Sequence, residues 1–524
     1  MSRRWKLSVC LVSLLAAMVA VRPSEAVEIH SNGSGGGEWS DPETWHGGQV
    51  PSADDVVIVA MRDTVRLSGK DAVSADCQQL YIDPEGILAL TAGRNQLTLT
   101  VAGPIESYGT IRMDGTKSPR GRVALRLVGS TAQERTVRLL ENSALLAYGR
   151  KGLPEDSRNV LITAAQTEEE NPGPPATIIA QGDAMIDLHH TRLSDVIVQA
   201  SLIDNTGAKA NQRLNVIGNH FVSLSRLMID MCDTPVVRSN RFEAGDAKNE
   251  AAMYFNRCKL ADIRSNRVGG SYGIGIYVHN DVGSSAAKNL VSGPARGIYW
   301  RHGTNAMIQD NTVSGCTTGL SLDSATGVAE NTTIDKVTTA VSLTKSNVQF
   351  TTCHVTELAE DGIAMDLNAS AVTLLNSNIG DDQIKIAGTP PGGAHAAVSM
   401  QFMIVKVDGR RPPGSRVQVQ TAEVSGGVPQ GKADLNVRNA PARLSESGLT
   451  PLPASTKAVV VRSWQLAANG KKENAPFYDV IVFAPSAAPD QPDQVLVSQV
   501  TEPNDGWFRA EPDSGTPNVE VKLP

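Results

Sequence analysis

The chain has 524 residues, of which 20% are charged and only 4% aromatic, and its formal net charge is −7. An acidic chain with no basic tail argues against nucleic acid as a partner, and six cysteines at this length are too few for a disulfide scaffold. Glycine is abundant, and Val, Ile, Thr, Ser and Asn run in short alternating stretches without amphipathic helical patterns of useful length. The fold class is therefore all-β, and the length allows two or three domains.

The first segment reads as an export signal. Arg3, Arg4 and Lys6 precede an apolar run from Leu7 to Val21, and Ser24 and Ala26 put small residues at the two key cleavage positions. Such a run is too short and wrongly flanked to span a membrane. Nothing downstream reads as a transmembrane helix, so no membrane insertion is expected. Residues 1–26 are assigned to a signal peptide, which implies a secreted protein, extracellular or periplasmic. Cleavage after Ala26 removes four basic residues and one acidic residue and moves the net charge from −7 to −10. It leaves Cys77, Cys232, Cys258, Cys316 and Cys353, an odd number.

Residues 27–150 form an N-terminal β region. It opens with Gly35-Gly-Gly-Glu-Trp39, followed by Trp45, the Gly47-Gly48 turn, Val50-Pro51, Asp54-Asp55 and a strand from Val56 to Val59. This pattern resembles the eight-glycine (G-eight) domain of fibrocystin and of cell-surface hyaluronan-degrading proteins. The two tryptophans are expected to plug the open end of a solenoid, which needs a cap.

Internal repetition dominates residues 151–388. Asn219, Asn240, Asn266, Asn289, Asn311 and Asn331 recur at steps of 21, 26, 23, 22 and 20 residues, with Thr351 and Asn376 as the expected continuation. A second column interleaves: Gly275-Ile-Tyr-Val, Gly297-Ile-Tyr-Trp, Gly319-Leu-Ser-Leu, Ala340-Val-Ser-Leu and Gly362-Ile-Ala-Met. Coils of about 20–26 residues that stack at strand spacing account for both. The Asn side chains pair buried backbone groups and bond to one another as a ladder. The Gly is expected to permit a tight bend, and Ile276, Val278, Ile298, Trp300, Leu320 and Leu322 point inward. The repeat resembles the pectate-lyase-like superfamily of right-handed parallel β-helix proteins. That resemblance is specific for fold, not for reaction.

The residues between the buried ones face outward. One column reads Met228, Tyr254, Tyr277, Tyr299, Ser321, Ser342, and the next reads Asp230, Asn256, His279, Arg301, Asp323, Thr344. Glu250, Asp281 and His302 are expected close by. In families resembling this one, catalytic residues commonly stand outside this same sheet. Lyases and epimerases of uronic-acid polymers need a cation on the carboxylate, a base and an acid. Arg301, His279, Tyr277 and Tyr299 are candidates for these roles, with Tyr254, Asn256, Asp230, His302 and Asp323 as candidate substrate contacts. Hydrolysis needs two carboxylates at a set separation, whereas Asp230 and Asp323 stand four coils apart, about 20 Å. From Arg238 to Arg301 ten basic residues face five acidic ones, which favours an anionic polysaccharide. The opposing reading is a non-catalytic surface or matrix protein that binds glycans or proteins, or a stack that only stabilises the coils.

His189, His190 and His220 could join a site, but lone histidines at coil turns are more often ordinary surface residues. Cys232 and Cys258 share an offset, so they form either a disulfide or a stack of reduced thiols. No zinc spacing, P-loop or nucleotide motif is present, so no cofactor is expected. Calcium suits the fold class, yet no Asp cluster is laid out for it. Thr389-Pro-Pro-Gly-Gly393 reads as a linker to residues 395–524, whose strand runs suggest an Ig-like or carboxypeptidase-regulatory-like β-sandwich.

Overall fold

The computed structural model describes residues 26–524 except 69–73, 119, 165–172, 203–213, 391–394, 404, 426–427, 435–441, 444–458, 475–476, 487, 489–492 and 502–518. The signal-peptide run lies outside the described residues. Among the described residues, helix is confined to short 3-10 turns such as Pro42–Thr44, and no helix is long and apolar enough to cross a membrane.

The chain winds as a right-handed parallel β-helix of about fourteen turns. One coil shows the plan. Arg226–Asp230 lies in a first sheet, Val236–Arg238 in a second, and the opening of Arg241–Asn256 in a third. The end of that last strand returns to the first sheet, where Met228 meets Tyr254 and Asp230 meets Asn256. Residues of period two then alternate between core and solvent. Ile276, Val278, Ile298, Trp300, Leu320 and Leu322 are all buried, as expected.

Parallel pairing begins at Glu28, which meets Val56. Residues 27–150 are thus coils of the same stack as 151–388. Trp39 and Trp45 are buried at its open end, edge to face at 5.2 Å, and the Trp45 Nε1 donates to the Trp39 carbonyl at 2.8 Å. The buried Asp63 carboxylate accepts from the backbone N–H of Gly33 (2.8 Å) and Gly35 (2.9 Å) and from the Ser31 hydroxyl. Gly36 sits at φ 82°, and a Cβ there would fall 2.3 Å from the Thr64 carbonyl. A side chain at that position would strain the backbone and clash.

The ladder forms from five of the six expected residues. Asn219, Asn240, Asn266, Asn289 and Asn311 are buried, and each Nδ2 donates to the next Oδ1 at 3.0–3.1 Å. The same Oδ1 atoms accept the preceding Asn backbone N–H at 2.9–3.0 Å. Asn331 departs from the expectation. It is exposed, pairs with Asp310 at 3.3 Å and has φ 46°. Thr332 and Cys353 occupy the next two ladder positions, because Thr312 pairs with Thr333 and Thr333 with His354.

The glycine column is also reread. Gly275, Gly297 and Gly319 have no positive φ, but a Cβ would lie 2.6–2.7 Å from the backbone carbonyl of the next coil. Space between coils, not bending, requires glycine there. In the last of these coils the equivalent residue is Ala364, two positions after the expected Gly362, since Val341 pairs with Met365. The five cysteines among the described residues are buried and none is in a disulfide, so Cys232 and Cys258 form the thiol stack.

The expected linker stands inside the final coil. Ile384–Ala387 belongs to the first sheet and Ala397–Met403 to the second, so the expected linker falls between two strands of one coil; its residues 391–393 lie outside the described residues. Ala397–Met403 then pairs antiparallel with Val459–Leu466. This pair leads from the solenoid core, which includes Trp464 and Leu466, to a second core around Val405, Val417, Val480 and Val521. That second core is covered by antiparallel strands including Arg416–Ser425, Tyr478–Ala484 and Gln494–Thr501.

Candidate functional site

The first-sheet register brings the candidate residues together on its outer face. Tyr254, Tyr277 and Tyr299 are direct neighbours, as are Asp230, Asn256, His279, Arg301 and Asp323 in the second column. Tyr277 and Tyr299 stack at 4.8 Å with planes 7° apart, and Tyr254 meets Tyr277 at 5.0 Å. Arg296 lies over the Tyr299 ring at 4.9 Å, a cation–π contact. Tyr277 therefore has both faces covered. What Tyr277 presents to solvent is its edge and hydroxyl.

His279 lies beside Tyr277 at 5.9 Å and is 5.7 Å from His302, which stands on the exposed turn that follows Arg301 with φ 52°. Burial, then the positive charge of Arg301, lowers the His279 pKa. The imidazole is therefore neutral near pH 7 and can accept a proton. Burial raises the pKa of Tyr254 and Tyr299, which keeps them phenols, able to donate a proton. Arg301 lies against the Tyr277 hydroxyl and pairs with Asp323 at 3.4 Å.

The carboxylates are already engaged. Asp230 accepts from Asn256 at 2.7 Å and from Arg257 at 2.8 Å, and Glu250 pairs with Arg226. Asp281, expected near the patch, is instead buried in the following turn. Its oxygens accept from the Ser284 hydroxyl at 2.6 Å and the Ser284 N–H at 3.1 Å. Burial pushes its pKa up to about 6. It caps a turn rather than facing a ligand.

Two buried polar atoms of the second column make no hydrogen bond: Oδ1 of Asn256, and Nε of Arg301, which faces the Asp323 carboxylate as an ion pair at 3.4 Å. They flank His279 on either side. Buried groups of this kind are normally satisfied, so one open acceptor and one loosely held cation stand on one face. Among the described residues no group of three or more His, Cys, Asp or Glu is placed to hold a metal ion.

Sequence reading passed over a second set of groups. On the second sheet, Asp187 accepts from the Tyr148 hydroxyl at 2.6 Å and from His189 Nε2 at 2.7 Å. Burial opposes its ionisation, but these bonds outweigh it and hold its carboxyl below the usual range. His220, expected at the surface, is buried on the third sheet and bonds to Glu243 at 2.8 Å. Tyr148 lies 39 residues before Asp187, so only stacking of coils could have revealed this group.

A family model for the right-handed β-helix region matches residues 247–384, about a quarter of the chain and the stretch that holds Tyr254 through Asp323. β-Helix domains of this kind are common in carbohydrate-active enzymes and in binding proteins. No curated protein matches the chain.

Proposed function

We propose that the outer face of the first sheet binds an anionic polysaccharide and acts on it at a uronic-acid residue by elimination or epimerisation. One observation carries this reading: a neutral His279 stands beside the tyrosine stack between Asn256, whose Oδ1 has no hydrogen-bond partner, and Arg301, whose Nε is held only by an ion pair to Asp323 at 3.4 Å. In this reading Arg301 neutralises the substrate carboxylate. Its planar fork can engage a carboxylate bidentately, which Lys cannot do. His279 removes the α proton, and a Tyr277 or Tyr299 phenol supplies the acid for the leaving oxygen or the opposite face. Asp323 would have to release Arg301 in part, at small cost for a half-exposed pair. Hydrolysis fits less well, because Asp230 and Asp323 are paired and four coils apart, and Asp281 is buried. The expected N-terminal export signal fits a ligand outside the cell membrane.

The second reading is a non-catalytic glycan-binding surface, and the covered faces of Tyr277 favour it. A panel of uronate-containing polysaccharides tests both. Turnover is followed by the ultraviolet absorbance of unsaturated products and by epimer composition, and binding by calorimetry. His279→Ala should abolish turnover with modest loss of binding in an enzyme, and lower affinity alone in a binding module. Because His279 has a depressed pKa, the acid limb of kcat/KM should fall below the ordinary histidine range, near pH 6.5. Equal binding by wild type and Arg301→Lys across the panel would overturn both readings and leave the columns as structural stacking.

A further inference from the structure

A second polar surface lies on the third sheet, away from the tyrosine face. Its outer column runs Ala124, Leu161, Arg192, His220, Arg241. The segment 149–159, between the strands Ala144–Tyr148 and Val160–Ala164, leaves the coil and folds over this column. It is fastened at several points. Glu155 pairs with Arg241, and Arg192 donates to the Asp156 carbonyl at 3.2 Å and lies 3.5 Å from its carboxylate. Asn159, buried, holds the base of the loop: its Oδ1 accepts the Arg150 N–H at 2.9 Å and its Nδ2 donates to the Gly115 carbonyl.

Between loop and sheet is a depression of about 210 Å³, lined among others by Arg122, Asp156, Arg158, Thr163, Arg192 and Ser194. Three guanidinium groups meet one carboxylate there, in a chain of net charge −7. Among the described residues Arg122 and Arg158 have no ion-pair partner within 4 Å, and the Arg158 Nε is buried without a hydrogen-bond partner. Burial lowers the Arg158 pKa, and the nearby Glu155 carboxylate offsets this only in part, as for a cation partly stripped of water. Beside it the fully buried His220 also has an unpartnered Nδ1, whose nearest acid is Asp156 at 3.9 Å. Half-buried guanidinium groups of this kind favour an anionic partner, and the protein supplies Asp156 and the nearby Glu155, which is itself paired with Arg241.

We propose that Arg122, Arg158 and Arg192 form an oxyanion-binding site for the sulfate or carboxylate group of an acidic glycan. Arginine suits the task because its fork of donors pairs with two oxygens of one group. The Thr163 and Ser194 hydroxyls, neighbours across the sheet, line the sheet side, and each donates within the chain, Thr163 to the Ala164 carbonyl at 3.1 Å and Ser194 to Asp195 at 3.2 Å. The volume decides how much of a ligand enters. It is below the roughly 300–1,000 Å³ of sites that enclose a drug-sized molecule, so the depression takes one charged group with its sugar ring while the rest of a polymer runs over the surface. This site does not depend on the first-sheet reading, which rests on other residues of another sheet.

The test is calorimetric titration of the full chain with three probes: sodium sulfate, a sulfated disaccharide and a short oligouronate. Binding of at least one probe is expected, weakened about tenfold or more by Arg158→Gln and by Arg122→Gln, as loss of one charge-assisted bond implies. Arg264→Gln, on the second sheet, should leave it unchanged. Arg122 is exposed, so that variant should fold even if Arg158→Gln does not. Tighter binding of a sugar probe than of sulfate assigns the site to a glycan group, and equal binding to a free oxyanion. Absence of binding by all three probes, or binding indifferent to Arg122→Gln and Arg158→Gln, would overturn the proposal.

Discussion

The middle and late coils of the solenoid are held together at different corners. In the middle coils the corner between second and third sheets carries the Asn219–Asn311 ladder, and each Asn bonds both to its neighbour and to a backbone carbonyl. Beyond Asn311 the same corner holds Thr332 and Cys353, whose side chains bond only to backbone carbonyls. There the corner between first and second sheets takes over. The Ser346 hydroxyl accepts the Ala325 N–H at 3.1 Å, and the Ser370 hydroxyl accepts the Ser346 N–H at 3.0 Å. In the middle coils that second corner is filled by Cys232, Cys258 and Asp281. Every stack of coils leaves turn N–H groups to satisfy, and this molecule changes the corner where side chains do so. The tyrosine face belongs to the ladder half: Asn240 and Asn266 lead directly into the strands that bear Tyr254 and Tyr277, and Asn289 precedes Leu290–Ser292, the strand before the one that bears Tyr299.

The largest expected effect comes from breaking the ladder in its middle. Asn266 makes four hydrogen bonds: it donates to Val237 and Asn289 and accepts twice from Asn240. Asn266→Ala leaves at least two buried backbone groups unpaired, at about 1–3 kcal/mol each, so urea unfolding should show a loss of about 3 kcal/mol or more. Asn331→Ala removes an exposed side chain from a left-handed turn, φ 46°, where Ala costs about 1 kcal/mol, so its loss should stay well below that of Asn266→Ala. Equal losses in the two variants would contradict the register described above.

That pair of residues also shows how far the fold was legible. Five ladder positions were readable because the period and the residue type agreed. Asn331 misled because Asn also suits the left-handed turn that precedes the ladder in every coil, as Ser239, Ser265, Lys288, Asp310 and Asn376 do with φ 51–56°. Two adjacent columns favour the same residue, and a step of one cannot be told from spacing alone. The tyrosine and histidine columns were legible because alternation fixes which side chains face out. What the rings do to one another was not. Stacking that covers Tyr277, the pairing of Arg301 with Asp323 and the burial of Asp281 depend on side-chain conformations that no spacing encodes. The arginines over the third sheet were hidden for a different reason: Arg122, Arg158 and Arg192 meet only because the 149–159 segment leaves its coil.

A smaller effect separates the two versions of the first-to-second corner by pH. Asp281 ionises in the middle coils where neutral Ser346 and Ser370 stand later. Its folded pKa of about 6 lies above the unfolded value, so between roughly pH 4 and pH 6 the folded state binds more protons than the unfolded one. Stability contributed by protonated Asp281 is present below pH 4 and is lost as pH rises through 6, by up to about 2–3 kcal/mol. Asp281→Asn should flatten this part of the stability profile in urea titrations at several pH values. An unchanged slope would mean that other groups set the pH dependence.

The smallest effect would extend the ladder into the late coils. Thr and Asn are close in volume, so Thr332→Asn is nearly volume-conserving at a buried position. By the pattern of the four preceding steps, the new amide would accept from the Asn311 N–H and Nδ2 and donate to the Ile308 carbonyl. The Thr332 hydroxyl bond to Glu330 at 3.0 Å would be lost in exchange. Hydrogen bonds of this type contribute about 0.5–1.5 kcal/mol net, and three replace one, so a gain of about 1 kcal/mol is expected in urea unfolding. A loss of stability would show that the corner narrows after Asn311 and that the ladder ends there for want of room. In that case the serine pair at the opposite corner would be the only arrangement of the two that the late coils can hold.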